Sequence, residues 1–248
     1  MSRTALILGA GLGGLVAAET LRKLLPASDR VIAVDRAERH FFPPSLLWLM
    51  VGERKPEDFT RSLDRLIGRG VEFRHGDVTR IDPQRREVEI AGESRAADAL
   101  VIALGAEYAP EAIPGLPEAG LNLYTMEGAT AIRDALARFE GGRIVVLTAA
   151  PMYKCPAAPY EAALLLESHL RRRGVRDKAT IEFFAAEPRP MVVTGPELGA
   201  AVRGMLETRG ISYHPEHQVK DIDPAARRID FANGVSAEYD LLLYVPPH

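Results

Sequence analysis

The sequence has a single cysteine, Cys155, so no disulfide can form within the chain, and a reducing, cytoplasmic setting is the expectation. Long apolar runs are also missing. The longest uncharged stretch, residues 4–18, is fifteen residues with four glycines, too short to span a bilayer. It reads better as strand, turn and helix than as the core of a signal peptide. There is no surplus of positive charge: 31 Lys and Arg face 34 Asp and Glu, for a net charge of −3, and no basic tail is present. Nucleic acid is thereby excluded as the expected partner. The six histidines show no ligand spacing; His214 and His217 are three apart, but Pro215 interrupts a helical pair, so no metal site is expected. What remains is ordinary soluble material, 47% hydrophobic and 26% charged over 248 residues, enough for one large domain or two modest ones.

Against that background, the first forty residues carry a pattern. Thr4-Ala5-Leu6-Ile7-Leu8 is an apolar run of strand length that enters Gly9-Ala10-Gly11-Leu12-Gly13-Gly14, a G-x-G-x-x-G turn. A helix is expected to residue 25 and a second strand over residues 30–34, ending at Asp35. Each glycine has a mechanical task. Gly9 allows the tight turn, Gly11 admits a pyrophosphate to the backbone, and Gly14 lets helix and strand pack closely. The helix start offers N–H groups and partial positive charge to phosphates. Asp35, twenty-one residues past Gly14, stands where an acid hydrogen-bonds a ribose. A dinucleotide site is the expectation.

The chain then runs through an apolar, proline-interrupted segment, residues 41–51, read either as a buried connection or as a wall of a cofactor or lipophilic pocket. Residues 56–69 follow helical spacing through Phe59, Leu63, Leu66 and Ile67. Residues 70–78 and 86–90 read as strands, the latter part of a β-meander, and residues 98–104 as a buried strand ending at Gly105. Pro110, Pro114 and Pro117 mark a linker, placing a domain boundary between residues 1–110 and 111–248. A second α/β half follows in the same order: helix 125–139, strand 143–149, helix 157–173, strand 180–186, helix 196–209 and four strand-like segments. The fold class is α/β, two Rossmann-like three-layer domains with a meander in the first.

The second half lacks what the first has. After strand 143–149 the turn reads Ala150-Pro151-Met152-Tyr153-Lys154-Cys155-Pro156-Ala157-Ala158-Pro159-Tyr160-Glu161, without a glycine. Bulky side chains and three prolines cannot bring backbone amides against a pyrophosphate, so NAD(P)H is not expected to bind here. The one cysteine sits in this turn beside Lys154 and ahead of a helix, and both neighbours favour the thiolate. A redox or nucleophilic role is expected for Cys155, against the plainer alternative of a packed thiol.

These features together resemble the flavoprotein reductases with two dinucleotide-binding domains, and within them the sulfide:quinone oxidoreductase and flavocytochrome c sulfide dehydrogenase group. The resemblance rests on residues 9–14 with Asp35 and Gly76-Asp77-Val78, on Ala103-Leu104-Gly105, on Lys154-Cys155-Pro156-Ala157-Ala158-Pro159-Tyr160-Glu161, and on the ending at residues 243–247. It implies FAD as cofactor, with contacts from Gly9, Ala10, Gly11, Leu12, Gly14, Asp35, Arg36, Val78, Ala103 and Gly105. It also implies that Cys155 faces the flavin ring and handles sulfur, with sulfide or another small sulfur compound as substrate and quinone as acceptor. Family members often sit on the cytoplasmic membrane surface, through helices in a C-terminal part that also carries a second redox cysteine and a late Gly-Asp motif on the flavin. Here the only Gly-Asp is Gly76-Asp77, and an upstream cysteine and histidine of some members are replaced near Tyr124 and Gly128. A chain lacking the C-terminal part, weak flavin retention and self-association through an uncovered apolar edge are therefore expected. Two other readings stand beside this one: a flavin-binding or interaction module without turnover, and a type II NADH:quinone reductase. The last needs a glycine fingerprint after Leu147, which is absent.

Overall fold

The structure, a computed structural model, describes residues 2–65 and 70–248. They form two compact units, Met1–Phe42 with Glu57–Ala106, and Pro43–Pro56 with Glu107–His248.

In the first unit four parallel strands form a sheet in the order Glu72–His75, Arg30–Asp35, Thr4–Leu8, Ala99–Ile102. Strands buried on both faces need continuous apolar runs, and Thr4–Leu8 and Arg30–Asp35 supply them. Side chains alternate between the faces. Ile7, Val31 and Ala33 pack with Ala18 of helix Leu12–Leu24. Leu6, Leu8, Ile32 and Val34 pack with Val88 and Ile90 of an antiparallel meander made of Val78–Asp82, Glu87–Ile90 and Glu93–Ala96. Helix, sheet and meander are the three layers. Ala99–Ile102 is an edge of the sheet, and Ile102 is 57% exposed.

The helix expected over residues 56–69 is not formed as such. Helix Pro56–Phe59 stops after one turn, and Thr60–Ser62 pairs antiparallel with Arg39–Phe41. Phe59 and Leu63 are buried all the same, so their spacing reflects burial rather than one helix. Leu66 and Ile67 lie outside the described residues.

The second unit has a five-stranded parallel sheet, ordered Leu121–Asn122, Leu241–Val245, Gly142–Thr148, Ala179–Ala185, Ile211–His214. One face carries Val145, Leu147, Phe184, Leu242 and Tyr244 against the meander Val219–Asp223, Arg228–Phe231, Ser236–Glu238. The longer helices of this unit are Met126–Arg138, Ala158–Arg172 and Pro196–Glu207. Thr125 caps the first of these by accepting the Gly128 N–H at 3.0 Å.

The division differs from a cut after residue 110: the second unit begins at Glu107, and residues 43–56 also belong with it. The cause is helix Leu46–Met50, whose Leu46, Leu47, Leu49 and Met50 are buried as it packs on helices Met126–Arg138 and Ala158–Arg172. The apolar segment is thus mainly a buried connection. Among the described residues, no helix is long and apolar enough to cross a membrane.

Candidate functional site

In the first unit the glycine turn is built as its sequence demands. Gly9 has φ +93°, and a Cβ there would lie 2.4 Å from the Ala103 carbonyl oxygen. A Cβ at Gly14 would stand 1.7 Å from the Gly9 oxygen, so close packing of helix on turn depends on its absence. Gly11 differs, because a Cβ there meets nothing within 4 Å. The space over Gly11 is open, and no side chain caps the helix that starts beside it or places an acid in its first turn. Open space and the partial positive charge of a helix start are what an anion requires of such a turn. Leu12, 47% exposed, lies at its rim.

The neighbouring strand ends are tied to this turn. Gly9 donates to the Val34 carbonyl at 2.8 Å, Ala103 to Leu8 at 2.8 Å, and Gly76 to Asp35 at 2.9 Å. The Asp35 carboxylate accepts the Ala10 N–H at 2.6 Å and the Ala37 N–H at 2.8 Å, which leaves lone pairs on both oxygens. Ala10, 1% exposed, has its amide engaged by Asp35. The Arg36 carbonyl meets His75 Nε2 at 2.8 Å. Val78 opens the meander two residues past Gly76, and Gly105, φ +78°, lies in open space two residues past Ala103. The structure thus brings Gly9, Gly11, Gly14, Asp35 and Ala103 together, with Leu12, Arg36, Val78 and Gly105 on the adjoining chain.

In the second unit Cys155 is a free, exposed thiol. Its backbone is left-handed, φ +53°, a conformation that a non-glycine residue holds only when its surroundings fix it. They do. The Tyr124 hydroxyl donates its one proton to the Lys154 carbonyl at 2.6 Å, shared with the Cys155 carbonyl at 3.2 Å. The Lys154 N–H donates to His248 Nε2 at 3.0 Å, and the Ala158 N–H to the Cys155 carbonyl at 3.1 Å. Lys154 Nζ lies 4.1 Å from the centre of the Tyr108 ring, a cation–π contact, and His248 meets that ring edge-on at 5.4 Å.

Beneath the loop lies a residue that sequence reading missed. Glu187, two residues past strand Ala179–Ala185, is 2% exposed. Its carboxylate accepts Thr148 Oγ1 at 2.7 Å, the Tyr153 hydroxyl at 2.5 Å and the buried Tyr160 hydroxyl. Burial first, and then the Glu187 charge, push the Tyr153 and Tyr160 phenols far above their ordinary pKa, so both stay protonated donors. Burial and then Cys155 raise Tyr124 in the same direction. The signal that points to Glu187 is positional. It stands just beyond the strand that follows the turn and helix of its unit, as Asp35 ends the strand that follows the glycine turn and helix in the first unit.

A family profile, that of the pyridine nucleotide-disulphide oxidoreductases, matches residues 3–245. The chain belongs to this family. The sulfide-quinone reductase of Aquifex aeolicus (strain VF5) is 30% identical over 245 residues, 96% of this chain and 56% of that protein. The mitochondrial sulfide:quinone oxidoreductase of Mus musculus is 28% identical over 228 residues, 88% of this chain and 49% of that protein. The crystal structure of the Aquifex aeolicus sulfide:quinone oxidoreductase superposes with a TM-score of 0.87 at 26% identity, covering 99% of this chain and 59% of that one. The chain spans about half the length of the curated relatives it matches. Members of this family are FAD-binding flavoproteins, and the open space over Gly11 at an uncapped helix start fits the diphosphate of that cofactor.

Proposed function

We propose that this chain is the flavin- and sulfur-handling part of an oxidoreductase of the sulfide:quinone type. The observation that carries the reading is Cys155: a single exposed thiol, presented in a left-handed conformation by a loop held through both its backbone and its tyrosines. The relatives named for sulfide and quinone support the same class of substrate and acceptor. FAD, when bound, supplies the sink for two electrons, which a quinone then collects.

The chain's own residues divide the work. The residue 9–14 turn and the start of helix Leu12–Leu24 hold the diphosphate, and Asp35 offers its remaining lone pairs to a ribose hydroxyl. Cys155 bonds sulfur. Its thiolate and HS⁻ join through a new S–S bond, releasing one proton to solvent and two electrons, and the product is a persulfide on Cys155. Tyr124 holds the carbonyls on either side of that sulfur's backbone, keeping the thiol outward.

The test is anaerobic titration of the purified, FAD-supplemented chain with sulfide, followed in the flavin absorbance band, with Cys155→Ser as the blank. Bleaching by sulfide in the native chain alone is the expected result. A chain that takes up no FAD would overturn the reading in favour of a non-catalytic module. Bleaching by NADH instead of sulfide would favour a type II NADH:quinone reductase; none is expected, because the turn at residues 150–160 presents no glycine amides and its helix start is buried.

A further inference from the structure

We propose that Glu187 is a positioning residue for Cys155, holding the loop that presents the thiol through the hydroxyl of Tyr153. A carboxylate is costly to bury without a cation. Among the described residues the partners of the Glu187 side chain are three hydroxyls and no Lys or Arg. These hydroxyls come from three successive places on one stretch of chain. Thr148 ends strand Gly142–Thr148, Tyr153 lies inside the loop two residues before Cys155, and Tyr160 lies in the first turn of helix Ala158–Arg172. One carboxylate therefore pins the beginning, the middle and the end of the loop to the neighbouring strand.

The three links are not equivalent. Tyr160 is fixed independently, stacked on Phe183 with ring centres 4.7 Å apart. Thr148 is held by a second bond, accepting the Ala186 N–H at 3.1 Å. The Tyr153 hydroxyl is the link that reaches the loop itself. Around Cys155 the backbone is also held by Tyr124 at the Lys154 and Cys155 carbonyls, by His248 at the Lys154 N–H, and by Ala158. To these Glu187 adds a side-chain anchor at Tyr153, two residues before the left-handed residue. That the thiol is put to use rests on the proposed sulfur chemistry; that Glu187 sets its geometry does not, and the test reads the thiol directly.

In the full chain, Cys155 is the single alkylation site, so its rate constants with iodoacetamide and with the bulkier N-ethylmaleimide can be compared in Tyr153→Phe, Glu187→Gln and Tyr160→Phe, each with its thermal midpoint. Releasing the loop is expected to raise the maleimide-to-iodoacetamide rate ratio by about tenfold in Tyr153→Phe and Glu187→Gln, the factor set by losing a hydrogen bond to a charged acceptor. Tyr160→Phe is expected to lower the midpoint and leave the ratio within about twofold, since its ring stays stacked. An unchanged ratio in folded Tyr153→Phe overturns the proposal, and this variant keeps it testable should Glu187→Gln fail to fold. A ratio that moves equally in Tyr160→Phe also overturns it, because the effect is then general loosening. Altered alkylation beside a failed sulfide titration leaves Glu187 standing and sinks only the sulfur chemistry; the reverse outcome sinks only this proposal.

Discussion

In the first unit, strand Thr4–Leu8 turns through glycines into helix Leu12–Leu24, and the acid at the end of the neighbouring strand, Asp35, takes the Ala10 amide. In the second, strand Gly142–Thr148 turns through bulky residues into helix Ala158–Arg172, and the acid beyond the neighbouring strand, Glu187, takes tyrosine hydroxyls. The corners are built on the same path of strand, turn, helix and strand. Side-chain volume decides what each can do. Leu12 at the first helix start is 47% exposed and the space over Gly11 is empty; Tyr160 at the second helix start is 2% exposed. One corner leaves room against the backbone for a phosphate. The other fills that room with phenol rings and uses the same kind of acid to hold them.

The comparison breaks most sharply at Gly11. Because a Cβ there meets nothing, Gly11→Val should leave the first unit folded, while its branched side chain enters the space proposed for the diphosphate. FAD affinity is expected to fall by about a hundredfold or more, roughly what losing two charge-assisted hydrogen bonds implies. Equilibrium titration with FAD, beside circular dichroism to establish folding, checks it; undiminished uptake would remove the cofactor assignment from this turn.

Gly14→Ala perturbs the same turn differently. The new methyl would stand 1.7 Å from a backbone carbonyl, so turn and helix must separate. A loss of about 3 kcal/mol or more is expected, at the upper end of overpacking costs. Urea unfolding of the first unit's transition reads it. No equivalent loss is expected at the second corner, where no glycine holds the turn. There Tyr160→Phe removes one of three donors to a buried carboxylate, at a cost of about 1–3 kcal/mol. Denaturant midpoints within error of the native chain would mean that the Glu187 network contributes little.

Most of this contrast is local, and so was legible before any coordinates. Continuous apolar strands and the glycine spacing are each set by neighbours in the chain, and the helix read over residues 125–139 forms as Met126–Arg138. The glycine-free turn was readable for the same reason. Glu187 was not, because nothing beside it in sequence marks it. Its meaning comes from Thr148, Tyr153 and Tyr160, all more than twenty residues away, and only laying one half of the chain over the other points to it. The helix read over residues 56–69 failed for a related reason. Burial of Phe59 and Leu63 gives a helical spacing, but the pairing of Thr60–Ser62 with Arg39–Phe41 is a choice made at a distance. Likewise, nothing within Leu46–Met50 says which unit will cover it.

The smallest effect expected concerns pH. In the second unit burial holds His169 below its ordinary pKa of 6.5, reinforced by the positive charges of Arg173 and Arg172. His214 is lowered too, by burial against Phe184, 4.4 Å between ring centres, with His217 adding to the shift and Glu182, 3.3 Å from Nε2, opposing it. Both rings are neutral in the folded chain at pH values where the unfolded chain already binds protons. Stability from this source is therefore complete above pH 6.5 and declines as pH falls through 6.5 toward the lowered folded values. Both histidines are only partly buried, so the decline should be gentler than the loss from Tyr160→Phe. In the first unit His40 is lowered as well, burial outweighing the Asp35 charge, so native protein alone cannot apportion the effect. The double variant His169→Gln, His214→Asn can. Its thermal midpoint should drop less between pH 7.5 and 5.5 than that of the native chain, and His40→Asn should leave the second unit's share of the drop in place. An identical drop in the double variant would place the pH sensitivity outside His169 and His214 and remove the cause assigned to it.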